Sequence, residues 1–448
     1  MKKILLTALS LLCALSAVFS VSVVSAGALT YKNDVQTKSK SIILVNTDLD
    51  QVVFEKDADE KRYPASTTKI MTFIVAFEHI DDLETRIPIK KEVIDKLRGT
   101  GSSMSTIEDH VGDKIKAIDL LYSMMVPSGN DAAMVLADYV GGGDIDKFVE
   151  MMNEKAQELG CKNTHYMNPD GLHHKEHYTT ARDMYLITRH AMTLDRFSEI
   201  TDTTEYTVEG DEYPIYTTNY LIDPVRGGDY YYMYAHGVKT GTTDEAGRCL
   251  VTTASADGNS YMAVLLGAPY KEGELEEYYT FEDAAALFRW ALVKLDKKTV
   301  KTTSTPICEV KVKLAWGRDK ITLVPEKNLT AVLPADIEDK DILVESEVEE
   351  ELTAPLYTDE PVGKAAVYYV DSDGVKQQIA TVNLVPAEQV DRSGILAVLD
   401  VVGTIFHSYW FIVVIGLIIL IMIIYVIAAK LHRKRVRARK KVKRYRNF

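Results

Sequence analysis

Residues 237–268 read GVKTGTTDEAGRCLVTTASADGNSYMAVLLGA. Three strand candidates follow one another in this stretch, at 237–242, 248–254 and 260–268, each apolar or β-branched over much of its length. The last two are joined by Ala256-Asp257-Gly258-Asn259, a hairpin turn signal. Far upstream, SIILVN at 41–46 and QVVFE at 51–55 flank an Asp-rich turn and read as another hairpin. Between the two sets, 90–196 is mostly helical in pattern, with loops at 99–103, 141–143 and 168–174. Pro64 precedes a helix in which Ile70, Ile74 and Phe77 share one face with Met71 and Val75. An Ala-rich amphipathic helix follows the last strand, at 281–295. The pattern predicts an α+β layered domain: an antiparallel sheet of two early and three late strands, with helices on both faces and a helical insertion.

From about Lys301 the texture changes to short strands at 310–314, 320–324, 329–333, 342–348, 364–371 and 377–383, which predicts a small β-sandwich. The acidic run at 345–351 fits a solvated edge of that sandwich. Residues 393–407 are apolar with Asp400 isolated, and are expected to lead as a helix into 409–429. That segment is 21 residues without a charge, or roughly 31 Å as a helix, enough to cross the hydrocarbon core. Tyr409, Trp410 and Tyr425 lie near its ends, where interfacial aromatics belong. At the other terminus, Lys2 and Lys3 precede a Leu/Ala/Val-rich run, and Val24-Ser25-Ala26 supplies a cleavage signal, so 1–26 reads as a secretory signal peptide. The expected organisation is therefore signal peptide 1–26, main domain 27–298, β-sandwich 299–390, membrane-proximal helix 391–408, transmembrane helix 409–429 and basic tail 430–448.

Charge is segregated to match. The chain's formal charge is −13, yet 430–448 hold 11 of the 52 Lys and Arg and no acid, and 1–26 hold two lysines and no acid. What lies between carries 39 bases against all 65 acids, a net of −26. A surface this acidic excludes nucleic acid as a partner, because phosphate contacts need a basic face. By the positive-inside rule the tail is cytoplasmic and the acidic body lies outside, in a single-pass protein of the cell membrane. Beyond the signal peptide Cys161, Cys249 and Cys308 remain. An odd, sparse set is no disulfide framework, and Cys249 in its apolar strand reads as a buried thiol.

Three short elements carry chemistry: Ser66-Thr67-Thr68-Lys69 at the start of the first helix, Ser128-Gly129-Asn130 between helices, and Lys239-Thr240-Gly241 on the first late strand. On a helix Ser66 and Lys69 project from one face. Taken singly, Ser66 reads equally as a helix cap and Lys69 as a solvated lysine. His173, His174 and His177 have spacing that could clamp zinc, but they follow a turn and are expected to be loop histidines, with no metal site and no cofactor. Tyr230, Tyr231, Tyr232 and Tyr234 either flank a cleft or pack a long loop.

Together the three elements resemble the serine DD-peptidases, specifically the low-molecular-mass penicillin-binding proteins that act as D-alanyl-D-alanine carboxypeptidases. Tyr63-Pro64-Ala65-Ser66-Thr67-Thr68-Lys69-Ile70-Met71-Thr72, Ser128-Gly129-Asn130-Asp131-Ala132-Ala133, Asn168-Pro169-Asp170-Gly171-Leu172, 178–184 and Lys239-Thr240-Gly241-Thr242-Thr243 all carry the likeness, which covers roughly 28–295. The resemblance implies the serine β-lactamase/DD-peptidase-like fold. It also implies Ser66 as nucleophile, Lys69 as its base, and Ser128 as proton relay to the leaving amine. Asn130 would hold the substrate amide, while Lys239, Thr240 and Thr242 would meet the terminal carboxylate beside Gly241. Backbone N–H groups of Ser66 and Thr242 would form the oxyanion hole. Substrate and inhibitor classes follow: peptidoglycan stem pentapeptides, and β-lactam antibiotics bound covalently. A DD-endopeptidase acting on cross-links with the same residues is the alternative, and a non-catalytic wall-binding scaffold the rival of another class. Three features depart from the family pattern. The second motif is Ser-Gly-Asn rather than Ser-Asp-Asn, Thr242 stands where relatives often carry an aromatic or His, and a full span replaces the surface helix in which relatives commonly end.

Overall fold

The computed structural model describes Tyr31 and residues 33–272, 275–371 and 373–445. The signal-peptide reading of 1–26 lies outside the described residues. The chain divides into two compact units. One runs to Val300 and includes Thr330–Leu343 and Tyr368–Ala380; the other comprises Lys301–Leu329, Val344–Val367 and Thr381–Phe448.

The first unit holds β1 (Ser41–Asn46), β2 (Gln51–Lys56), α1 (Lys69–His79), α2 (Ala117–Met125), α3 (Asn130–Val140), α4 (Ile145–Glu158), α5 (Ala181–Ala191), β3 (Ala235–Thr243), β4 (Gly247–Ala256), β5 (Asn259–Ala268) and α6 (Tyr279–Lys294). The five strands form one antiparallel sheet in the order β2-β1-β5-β4-β3. Strand β5, centred between the early and the late hairpin, is buried at every residue from Tyr261 to Ala268. A strand buried on both faces needs cover on both, and α5 and α6 both pack against it. The antiparallel sheet with helices and a helical insertion is thus as expected.

Two expectations change in detail. Helix α1 is not a one-sided amphipathic helix. Ile70, Met71, Phe73, Ile74, Val75 and Ala76 are all fully buried, while Phe77 is only partly so. An all-round apolar helix belongs in a core, and α1 runs through the middle of the insertion against α3, α4 and α5. The insertion also carries a short antiparallel strand pair, Arg86–Pro88 with Lys114–Lys116, the second strand of which interrupts the expected helical run.

The chain after α6 forms a six-stranded sheet. Numbering onward, β6 is Cys308–Lys313, β7 Lys320–Pro325, β8 Ile342–Val348, β9 Glu351–Thr353, β10 Gly363–Val370 and β11 Lys376–Pro386, in the order β8-β10-β11-β7-β6-β9. The acidic run supplies its two edge strands, β8 and β9, with Glu345 and Glu347 exposed. Negative charge on an edge discourages pairing with another chain. One expected sandwich strand goes elsewhere: Leu329–Pro334 pairs with Leu295–Lys301, a strand that follows α6 directly. Helix α7 (Gly394–His407) starts at Ser393, whose Oγ accepts the Leu396 N–H at 3.3 Å. Helix α8 (Tyr409–Tyr445) contains the apolar segment and continues into the basic tail. Its Tyr409–Arg437 portion is long and apolar enough to cross a membrane.

Candidate active site

Ser66 sits on a short 3-10 turn, Ala65–Thr68, immediately before α1. The turn is bent into place by its own hydroxyls, Thr67 Oγ1 donating to Pro64 O at 2.7 Å and Thr68 Oγ1 to Ala65 O at 2.8 Å. Ala65 itself has φ +48°, a left-handed conformation that disfavours a side chain. Ser128, in the loop before α3, is likewise left-handed at φ +68°. Backbone strain of this kind gathers where surrounding structure holds a functional residue in position.

Lys69, the first residue of α1, is fully buried. Its ammonium donates to Ser66 Oγ at 2.9 Å, Asn130 Oδ1 at 2.6 Å and the Asp170 main-chain oxygen at 2.7 Å. Burial pushes its pKa down from 10.5 to about 8, against the opposing pull of the Asp170 and Asp131 carboxylates. Lys239, on β3, is equally buried, and desolvation together with the charge of Lys69 drives its pKa well below the ordinary value. The Lys239 amine donates to the Thr240 carbonyl at 3.0 Å.

Strand β3 passes tight against the turn that carries Ser66. A Cβ on Gly241 would lie 2.9 Å from the Ser66 nitrogen and 3.0 Å from Pro64 O, so only glycine lets the strand come this close. The loop Asn168–Leu172 closes the other side. There Thr72 Oγ1 donates to Pro169 O at 2.5 Å, and Gly171 lies over the Ala65 carbonyl. Two cavities meet at Ser66, Ser103 and Thr242. One, of about 440 Å³, adds Ser128, Thr218, Thr240, Arg226, Arg248 and Tyr278. The other, of about 700 Å³, adds Asn130, Leu172, His173, Thr243, Asp244 and Glu245.

Six of the eight residues singled out in the sequence therefore line the two adjoining cavities, and Lys69 and Lys239 lie buried behind them. Sequence reasoning missed several partners. The Asp170 carbonyl that takes the Lys69 ammonium sits in a quoted motif, but a main-chain acceptor leaves no mark in residue identity. Thr218, whose hydroxyl is 2.5 Å from that of Thr240, and the Arg248–Tyr278 stack, with guanidinium and ring 3.7 Å apart, carry no motif at all. The four tyrosines line neither cavity: Tyr230 meets Tyr278 and Phe281, Tyr232 meets Tyr234 and Phe288, and Tyr231 is exposed. Of the histidines, His177 is no exposed loop residue. It is 2% exposed, 2.9 Å from Thr68 Oγ1, and burial pushes its pKa down to about 3. Cys249 is buried with its thiol pushed up to about 12.

Asp131 explains how the Ser128–Asn130 loop is held. Fully buried, its carboxylate accepts the Ser105 N–H and hydroxyl at about 3 Å, and the N–H groups of Glu108 and Ala132 at 3.3 and 3.0 Å. Asp131→Ala would strip several buried donors of their acceptor, with an expected loss of about 2–4 kcal/mol. A urea titration of the Asp131→Ala protein should show its midpoint displaced accordingly; an unmoved midpoint would contradict that role.

Comparison with known proteins shows what the chain as a whole is similar to. The family model described as D-alanyl-D-alanine carboxypeptidase matches residues 28–270, more than half the chain. That described as the C-terminal domain of penicillin-binding protein 5 matches 296–392. The D-alanyl-D-alanine carboxypeptidase DacF of Bacillus subtilis (strain 168) is 28% identical over 330 residues, covering 73% of this chain and 80% of the relative. The D-alanyl-D-alanine endopeptidase of Pseudomonas aeruginosa is 30% identical over 287 residues, 63% of this chain and 84% of its own. The solved structure of the D-alanyl-D-alanine carboxypeptidase DacD from Francisella tularensis superimposes with a TM-score of 0.62 at 26% identity, covering 81% of this chain and 97% of that one.

Proposed function

The chain belongs to the D-alanyl-D-alanine carboxypeptidase family, as a serine-type carboxypeptidase among the low-molecular-mass penicillin-binding proteins, and from that premise we propose how its own residues act. The substrate is a peptidoglycan stem pentapeptide. Ser66 Oγ attacks the carbonyl of the penultimate D-alanine while the Lys69 amine, in its neutral form, takes the hydroxyl proton. The bond to the terminal D-alanine nitrogen breaks, Ser128 passes a proton to that amine, and water then hydrolyses the ester on Ser66. The N–H groups of Ser66 and Thr242 receive the oxyanion. Asn130 holds the acyl-side amide, and Thr240 and Thr242, with Lys239 behind them, take the terminal carboxylate where Gly241 lets it approach. A β-lactam would stop at the ester stage and remain on Ser66.

The observation that carries this reading is the 2.9 Å contact between a fully buried lysine and the Ser66 hydroxyl. A lysine whose pKa lies near 8 can serve as a base near neutral pH, which a solvated one cannot. The rest of the chain fits an anchored enzyme. We read 1–26 as an export signal, 27–298 as the catalytic domain, 299–390 as a β-sandwich, 391–408 as the membrane-proximal helix, 409–429 as the span and 430–448 as a cytoplasmic tail. The acidic body, with its catalytic cleft, then lies outside the membrane, where stem peptides are found.

Two measurements on the full-length protein in detergent test the proposal. A fluorescent penicillin should label the wild type and not Ser66→Ala, and a monomeric pentapeptide should release D-alanine. Absence of label from the wild type would sink the acyl-enzyme. Cleavage of a cross-linked dimer with no release from the monomer would replace the carboxypeptidase reading with the endopeptidase one.

A further inference from the structure

The two cavities that meet at Ser66 carry opposite charge. Among the described residues, the charged side chains lining the smaller one are Arg226 and Arg248, and no carboxylate joins them. Lining the larger one are Asp244 and Glu245, and, among the described residues, no lysine or arginine. Both acids are exposed, and both follow directly on from Thr242 and Thr243 at the end of β3. Glu245 faces His173 at 3.9 Å, whereas Asp244 has no cationic partner among the described residues. A cleft polarised in this way is matched by a substrate whose own charges are separated across the scissile bond.

The proposed roles orient that substrate. Ser128 and Thr240, assigned to the leaving amine and its carboxylate, line only the arginine side. Asn130, assigned to the acyl-side amide, lines only the acidic side. Resting on that reading, we propose that Asp244 and Glu245 recognise a protonated side-chain amine on the residue that precedes the D-alanyl-D-alanine unit. At about 700 Å³ the acidic cavity has the size of an ordinary small-ligand site and room for such a side chain. Substrate selection follows from charge. An amine already acylated in a cross-link has lost its cation, so the enzyme favours stem peptides whose amine is still free.

The test uses two tripeptides on the full-length protein, Nα-acetyl-L-lysyl-D-alanyl-D-alanine and its Nα,Nε-diacetyl counterpart. Two partly screened carboxylates give an expected preference of about 5- to 10-fold in kcat/KM for the free amine. The preference should reside mainly in KM and shrink as salt is raised, since exposed charges are screened within about 10 Å at 0.1 M. In Asp244→Asn/Glu245→Gln the two peptides should be cleaved at rates within about 2-fold of each other. Equal cleavage of both peptides by the wild type would overturn the amine recognition alone. So would a preference that survives the double substitution. If neither peptide were cleaved and penicillin failed to label Ser66, the reading beneath it would fall as well.

Discussion

Lys69→Ala should slow acylation by a fluorescent penicillin about 10²- to 10⁴-fold, the usual contribution of a general base. The lysine is the only amine shown within hydrogen-bond reach of the Ser66 hydroxyl, and no His or carboxylate bonds to that oxygen among the described residues. Its pKa of about 8 sets the wild-type profile. Below pH 8 the neutral fraction, and with it the acylation rate, should rise about tenfold per pH unit and then level off. At pH 7 only about a tenth of the molecules carry the base in its active form. Stability moves the same way. The folded value lies below the 10.5 of the unfolded chain, so between about 8 and 10.5 the unfolded chain holds the extra proton. Burying Lys69 therefore costs less as pH climbs through that window. Stopped-flow acylation from pH 6 to 9 checks the kinetic part; a flat profile in the wild type, or an alanine variant acylated at full rate, removes Lys69 from the base position.

Gly171→Ala should damage both stability and activity although it replaces none of the eight residues above. Gly171 has φ +89°, and a Cβ there would fall 2.0 Å from the Ala65 carbonyl oxygen and 2.9 Å from the Ser66 nitrogen. Neither neighbour is a flexible side chain, so the backbone carrying the nucleophile has to move. Left-handed strain and steric displacement together should cost about 2–5 kcal/mol. A shift of about 1 Å in a reacting group can by itself cost about 10²-fold in rate. Chemical denaturation and penicillin acylation of the Gly171→Ala protein measure the two effects, and full activity at an unchanged midpoint would show that the loop does not bear on Ser66.

Both predictions draw on what the sequence makes legible and on what it does not. The five strands of the first sheet, their hairpin turns and the i, i+3 relation of Ser66 to Lys69 are local, and local pattern reveals them. Which partner a strand chooses is not local. Residues 329–334 have the same texture as the sandwich strands, yet they pair with Leu295–Lys301. The all-round burial of α1 was similarly hidden, because the apolar stripe of Ile70, Ile74 and Phe77 gives no sign that three helices enclose it. At the site, side chains that recur in motifs could be named in advance. The Asp170 carbonyl, the Asp131 cradle and the two arginines could not: a main-chain acceptor leaves no mark in residue identity, and which groups a side chain meets is set by tertiary packing.

The lysine's three acceptors come from sequence positions 66, 130 and 170, on three separate segments of the fold. The amine proposed as the base thus ties the Ser66 turn, the start of α3 and the Asn168–Leu172 loop to one point. For an inhibitor this is a fixed target. A chain that altered any of these contacts to escape a drug would also undo the joint that shapes its own reaction site. Tolerated change is steered outward instead, to the walls of the cleft, where the exposed Tyr216 and Arg226 make no contact with the Lys69 ammonium.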